Sequence, residues 1–182
     1  MQAAGRQCCS LVPWPGSVLP PDLSVTCQLV RDGVTFSLRY RLAGELAGLA
    51  LPEALARPER RDGLWQESCF EFFVKPAGGS GYWEGNISPA GHWNLYYFSD
   101  YRLGMCQETA VMPPVVRQER QARSLLLEVG FSFERLLTPV TPCCLALSAV
   151  VRTTAGQTSY WALNHPASQP DFHHRQGFIF SL

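Results

Sequence analysis

Residues 64–105 read LWQESCFEFFVKPAGGSGYWEGNISPAGHWNLYYFSDYRLGM, and this stretch holds three of the five tryptophans in the chain. Within it, residues 68–75 are rich in aromatic and branched side chains, which favour a pleated strand. Side chains alternate across a strand, so Phe70, Phe72 and Val74 share one face, and Cys69, Glu71, Phe73 and Lys75 share the other. Pro76 and the glycines at 78, 79 and 81 break that strand, because they reach turn conformations at little steric cost. A second strand follows, with Trp83, Gly85 and Ile87 on one side and Tyr82, Glu84, Asn86 and Ser88 on the other. Pro89 and Gly91 make the next turn. Residues 92–99 then alternate Trp93, Leu95 and Tyr97 against His92, Asn94, Tyr96 and Phe98, so both faces of this third strand are expected to be covered.

The polar side of the middle strand is unusual in its chemistry. An ordinary half-buried strand turns such a side to water. Here the residues are short hydrogen-bonding groups beside large aromatics, and a hairpin would bring Glu71 close to them. Convergent donors and acceptors on an aromatic sheet face suit a small polar ligand.

Outward from this block, the remaining chain also reads as β-structure. Residues 24–30 and 34–42 flank an Asp32-Gly33 hairpin signal. Residues 43–63 are too long for a hairpin loop and predict a crossover or a covering loop, with one helical turn near 52–56. Pro113 and Pro114 confine the strand near 111–120 to a sheet edge. Residues 123–131 form another strand, 132–137 a single helical turn closed before Pro139, and 143–152 an apolar central strand. Residues 157–163 and 177–182 bring the expectation to about nine to eleven strands, with residues 1–22 an irregular lead-in. With helix nearly absent, the fold class is all-β, an antiparallel β-sandwich, occupying residues 23–182 as one domain.

Composition narrows the function. The chain has 182 residues, 46% hydrophobic and 16% charged, which fits one folded domain with a full core. Its net charge is zero and its arginines are dispersed, apart from Arg57, Arg60 and Arg61, which argues against nucleic acid or an anionic membrane surface as a partner. No segment approaches the length of a membrane span, and the N-terminus lacks a signal-peptide pattern, so a cytoplasmic location is expected. The seven cysteines are odd in number and include the vicinal pairs Cys8-Cys9 and Cys143-Cys144, a spacing that strains a direct bridge. They are expected to be free thiols packed as small apolar residues.

The segments LWQESCFEFF, E-x-N-x-S-P-x-G-x-W at 84–93, FSDYRLGM at 98–105 and the late SYWALNHP and PDFHH together resemble the DOMON-like domains related to family 9 carbohydrate-binding modules. The resemblance covers roughly residues 23–182. It implies a jelly-roll type of sandwich that binds a sugar, or in some relatives haem, on one sheet face or at its rim. By this resemblance Trp65, Glu71, Glu84, Asn86, Trp93, Arg102, Trp161, His165, Asp171 and His173 stand at ligand-binding positions. No Met and His pair is assignable as axial ligands to a haem, so no cofactor is expected. Sugar is the more natural ligand physically, since pyranose C–H faces stack on Trp and Tyr while hydroxyls pair with Glu, Asn, Asp and Arg.

Other chemistries are weaker. Glu71 and Glu84 could form the carboxylate pair of a glycoside hydrolase, which requires a defined separation that sequence does not supply. His165, Asp171, His173 and His174 include metal-ligand types, but their spacing fits no metal motif, and a loop capping the groove is the simpler expectation. The expected function is therefore a non-catalytic module binding a carbohydrate or related polyol. The alternative is an interaction module that docks a protein partner on the aromatic face.

Overall fold

The computed structural model describes residues 5–18, 20 and 22–182. Twelve strands lie in this range: β1 (Gly5–Pro13), β2 (Ser24–Asp32), β3 (Thr35–Ala43), β4 (Cys69–Pro76), β5 (Tyr82–Ile87), β6 (Trp93–Phe98), β7 (Cys106–Gln107), β8 (Val115–Gln121), β9 (Ser124–Ser132), β10 (Cys143–Arg152), β11 (Thr158–Ala162) and β12 (Phe180–Ser181). Helix is limited to two short 3-10 turns, Leu64–Gln66 and Arg175–Gly177. Among the described residues no helix is long and apolar enough to cross a membrane.

All strand pairs are antiparallel, in the order β7-β6-β5-β4-β10-β11-β1-β2-β3-β9-β8, with β12 added beside β10. This continuous sheet curls so that its two halves face each other across one core. Tyr40 of β3 meets Phe70 of β4, Phe72 meets Phe131 of β9, and Trp93 of β6 also reaches Phe131. The Tyr40 hydroxyl donates to the Glu71 carbonyl at 2.5 Å, satisfying a polar tip that burial would otherwise penalise.

The core-facing residues are those that alternation assigns: Phe70, Phe72 and Val74 on β4, Trp83 and Ile87 on β5, Trp93 and Leu95 on β6. Gly85 lies between Trp83 and Ile87 on this face for a steric reason. A Cβ there would sit 2.0 Å from Phe72 Cε1, so only glycine leaves room for the ring.

Several local expectations are corrected. The lead-in is not irregular over residues 5–13: β1 pairs with β2 through residues 5–11 and with β11 through Val12 and Pro13, forming the corner that joins the two halves. Its weak hydrophobic pattern hid it, because its order comes from the hydrogen bonds of its neighbours. Residues 1–4, 19 and 21 of that expected lead-in lie outside the described residues. No helical turn forms at residues 52–56, because the Ala54 and Leu55 N–H groups are taken by Gln118 and the Ala90 carbonyl. The covering role of that segment holds, with Leu46, Leu49 and Leu51 buried in the core. The β2–β3 hairpin turns at Gly33 and Val34, with Gly33 at φ 57.

Candidate functional site

The face of β4, β5, β6 and β10 turned away from the core is also covered. Phe73, Tyr82, Tyr96, Phe98 and Ala146 form a second buried cluster, over which Phe172 and Phe178 of the late segment pack. The aromatics on which a docked protein partner would rest are thus enclosed by the protein's own chain.

The strand register draws a polar row across this covered face. Ser148 lies opposite Glu71, Glu71 opposite Asn86, and Asn86 opposite Asn94. None of these residues is more than 2% exposed. The row is hydrogen-bonded, as burial demands. Ser148 Oγ donates to Glu71 Oε2 at 2.9 Å, and Asn86 Nδ2 donates to Glu84 Oε1 at 2.8 Å. Asn94 Nδ2 reaches the Tyr96 hydroxyl at 2.8 Å and Asp62 Oδ1 at 3.0 Å.

A cavity of about 400 Å³ opens above the Glu71 end of the row. Its lining includes Glu71 and Glu84 from the sheet, Trp65 from the Leu64–Gln66 turn, Arg102 and Met105 from the turn after β6, and Pro170, Phe172 and His173 from the late segment. Phe98, Val150 and Tyr160 complete it. Trp65 is 37% exposed and meets Tyr96 edge-on at 5.5 Å, so its ring stands at the mouth of the cavity. Glu71 and Glu84 are 2% and 5% exposed.

A hydrogen-bond chain holds the covering segment in place. Asp171 accepts from Tyr101 Oη at 2.6 Å, from the Arg102 guanidinium at 2.8 Å and from the His173 backbone N–H at 3.1 Å. The last bond is a side chain to backbone turn of the kind Asp favours. The Arg102 N–H donates to the Tyr82 hydroxyl at 3.2 Å, and that hydroxyl in turn shares a hydrogen bond with His173 Nδ1 at 2.7 Å. The other ring nitrogen, Nε2, lies 3.6 Å from Glu84 Oε2, beyond hydrogen-bonding length. Arg102 sits at φ 53, a left-handed conformation unfavourable for a residue with Cβ, and these two bonds hold it there.

The electrostatics follow from burial. Desolvation raises the Glu71 carboxyl far above the ordinary range, and the nearby Glu84 adds to the shift. Desolvation likewise raises Glu84, against the hydrogen bond from Asn86 and the charge of Arg102. His173 is lowered to about 4, first by desolvation and then by Arg102, so it is neutral near pH 7. Asp171, despite desolvation, is held below its usual value by Tyr101 and Arg102. Burial therefore favours the protonated form of the carboxyl pair in the cavity floor.

Of the expected site residues, Trp65, Glu71, Glu84, Arg102 and His173 line this cavity, Asn86 lies beneath it on Glu84, and Asp171 anchors its cover. Three fall elsewhere. Trp93 faces the core and stacks under the Arg60 guanidinium. Trp161 is also in the core, its Nε1 bonded to Ser159 Oγ at 3.0 Å, and its neighbour Tyr160 is the residue that reaches the cavity. His165 sits at the β1 corner, where its Nε2 meets the Val12 carbonyl at 2.9 Å and its ring meets Trp14. Alternation was sufficient to place Trp93 on the core side with Leu95. For Trp161 it offered a choice between two neighbours that only the packing resolves.

Ser148 was missed because it lies in an otherwise apolar strand, where a single serine carries no signal until β4 is placed beside it. Among the described residues no three His, Cys, Asp or Glu side chains converge as a metal-ligand set.

No family model matches the chain, and no curated protein matches it in sequence. Solved structures do match. A protein from Bacteroides uniformis proposed to bind carbohydrate superposes with a TM-score of 0.64 at 16% identity, covering 96% of this chain and 84% of that one. A family 9 carbohydrate-binding module from Caldicellulosiruptor kristjanssonii in complex with cellotriose gives a TM-score of 0.54 at 8% identity, covering 82% of this chain and 70% of the module. A family 9 module from the same organism in complex with glucose gives 0.50 at 10% identity, over 82% and 71% of the two chains. At these identities the likeness is one of fold: this chain shares the all-β architecture of carbohydrate-binding modules.

Proposed function

We propose that this chain is a non-catalytic binding module for a carbohydrate or related polyol, built as a DOMON-like β-sandwich of jelly-roll type and acting in the cytoplasm. The observation that carries the reading is the cavity itself. Trp65 and Tyr160 supply aromatic surface for a sugar ring, while Glu71, Glu84 and Arg102 supply hydrogen-bonding groups for its hydroxyls. The fold likeness to modules solved with cellotriose and glucose supports the same ligand class.

A glycan array combined with a thermal-shift panel tests it. A sugar at about 100 times its Kd stabilises the native state by about 2.7 kcal/mol. Glu71→Gln or Glu84→Gln is expected to weaken that binding by about 1–3 kcal/mol, the cost of losing one polar partner. Hydrolysis of a glycoside by the wild type, abolished by either change, would replace the binding reading with a glycosidase. Thiol chemistry tests the cytoplasmic assignment: all seven cysteines should alkylate under denaturing, non-reducing conditions in freshly isolated protein, and fewer would overturn it.

A further inference from the structure

Among the described residues no charged side chain is hydrogen-bonded to the carboxyl pair in the cavity floor. Glu71 lies opposite Asn86, and Glu84 lies opposite Phe73, so the two acids are diagonal neighbours on adjacent strands and on one face. The protein provides each with a single neutral donor, Ser148 for Glu71 and Asn86 for Glu84. Among the described residues none donates a hydrogen bond to the second oxygen of Glu71, although the residue is 2% exposed and lines the cavity.

Each nearby candidate for a balancing charge is engaged elsewhere. The Arg102 guanidinium is bonded to Asp171. His173 is neutral, its Nδ1 committed to Tyr82. The other titratable groups around the pair, Cys69 on β4, Tyr82 on β5, Tyr160 on β11 and Tyr40 on β3, carry no positive charge in any state. Buried carboxylates are ordinarily paired or neutralised, and here only a proton does so.

The walls complete the chemistry. Trp65, Tyr160, Phe98 and Phe172 surround the acid floor, and aromatic faces attract organic cations as well as sugar rings. A hard divalent ion would need about six oxygen ligands, more than these side chains offer.

We propose that the ligand carries an ammonium group, received by Glu71 and Glu84, on a body that packs against Trp65 and Tyr160: an amino sugar or a similar polyol amine. The body of the ligand rests on the carbohydrate reading above; the ammonium rests on the unpaired acid pair alone. Binding exchanges one cation for another. The ammonium enters as the charged species, the proton held by the carboxyl pair leaves to the buffer, and the net charge of the site is unchanged.

Titration calorimetry near neutral pH distinguishes the two readings, with D-glucosamine, D-glucose, N-acetyl-D-glucosamine and cyclohexylamine as probes in two buffers of different ionisation enthalpy. Glucosamine is expected to bind at least about tenfold more tightly than glucose or the uncharged N-acetyl sugar, as a charge-assisted contact warrants. Its binding should release a proton, seen as a buffer-dependent heat that the neutral sugars lack. Glu71→Gln and Glu84→Gln should each reduce the preference for the amine. Equal affinity for glucosamine and glucose in the wild type, with no proton release, would overturn the ammonium proposal and leave the carbohydrate reading standing. Binding of cyclohexylamine together with failure of all three sugars would support the ammonium and overturn the carbohydrate body. Failure of both amines would overturn the proposal whatever the neutral sugars do.

Discussion

The two halves of the curled sheet treat their outer faces differently. In the β1-β2-β3-β9-β8 half, alternation runs buried to exposed along β3 and buried to half-buried along β2 and β9, and the outer face turns Thr26, Arg39, Arg41 and Glu128 towards water. In the β6-β5-β4-β10 part of the other half, nearly every residue is buried on both faces. Polar groups on the first half are solvated, so little depends on their partners. Polar groups on the second half lie under Phe172 and Phe178, so each must find a protein partner or face the cavity. A sheet face that is covered and yet retains two acids departs from what stability alone selects, and that departure marks the site.

The largest expected test of this contrast is a pair of glycine substitutions. Gly85→Ala should destabilise by about 3 kcal/mol in urea unfolding, because its Cβ would overlap the Phe72 ring. Gly130→Ala, on β9 of the wet half, meets nothing within 4 Å and should stay within about 0.5 kcal/mol of wild type. Similar costs at the two sites would break the comparison.

A polar truncation comes next. Asn94→Ala removes donors to the Arg61 carbonyl, Asp62 and Tyr96 from a position that is fully buried, and should cost about 1–2 kcal/mol. A loss below the measurement error would mean that water reaches the row.

The acid pair predicts a pH dependence. Its carboxyls titrate higher in the folded state than unfolded, so the stability they allow is fully present below the ordinary carboxylate range and declines as pH rises through the folded values. His173 acts in the opposite sense, its contribution being present above its ordinary 6.5 and lost as pH falls towards about 4. Between about pH 7.5 and 8 His173 is largely neutral in both states, so Tm should fall with pH because of the pair. The double change Glu71→Gln with Glu84→Gln should flatten that slope, and a wild-type Tm that rises over this window would contradict the buried, unpaired assignment.

The smallest effect belongs to the wet half. Arg39 pairs with Glu128 at 3.0 Å, with the two side chains 53% and 39% exposed, and Arg39→Ala should cost less than about 1 kcal/mol, diminishing with salt. A larger cost would show that this face is also organised around its charges.

What the sequence determined by itself is what local periodicity encodes. The alternation at residues 68–99 placed Glu71, Glu84 and Asn86 on one face and the core residues on the other, and the apolar run at 143–152 placed a central strand. Late residues packed over the same face also followed from chemistry, since His173 does approach Glu84. The tertiary structure decided what depends on register between distant segments. Ser148 joined the polar row because β10 pairs with β4, and Tyr160 displaced Trp161 from the cavity because one residue of a strand changes the face. His165 was lost to the site because β1, too weakly patterned to be read as a strand, presents the Val12 carbonyl at the corner. Hydrophobic periodicity records which side of a strand is buried, whereas the partner opposite each residue is set by long-range pairing that no local window contains.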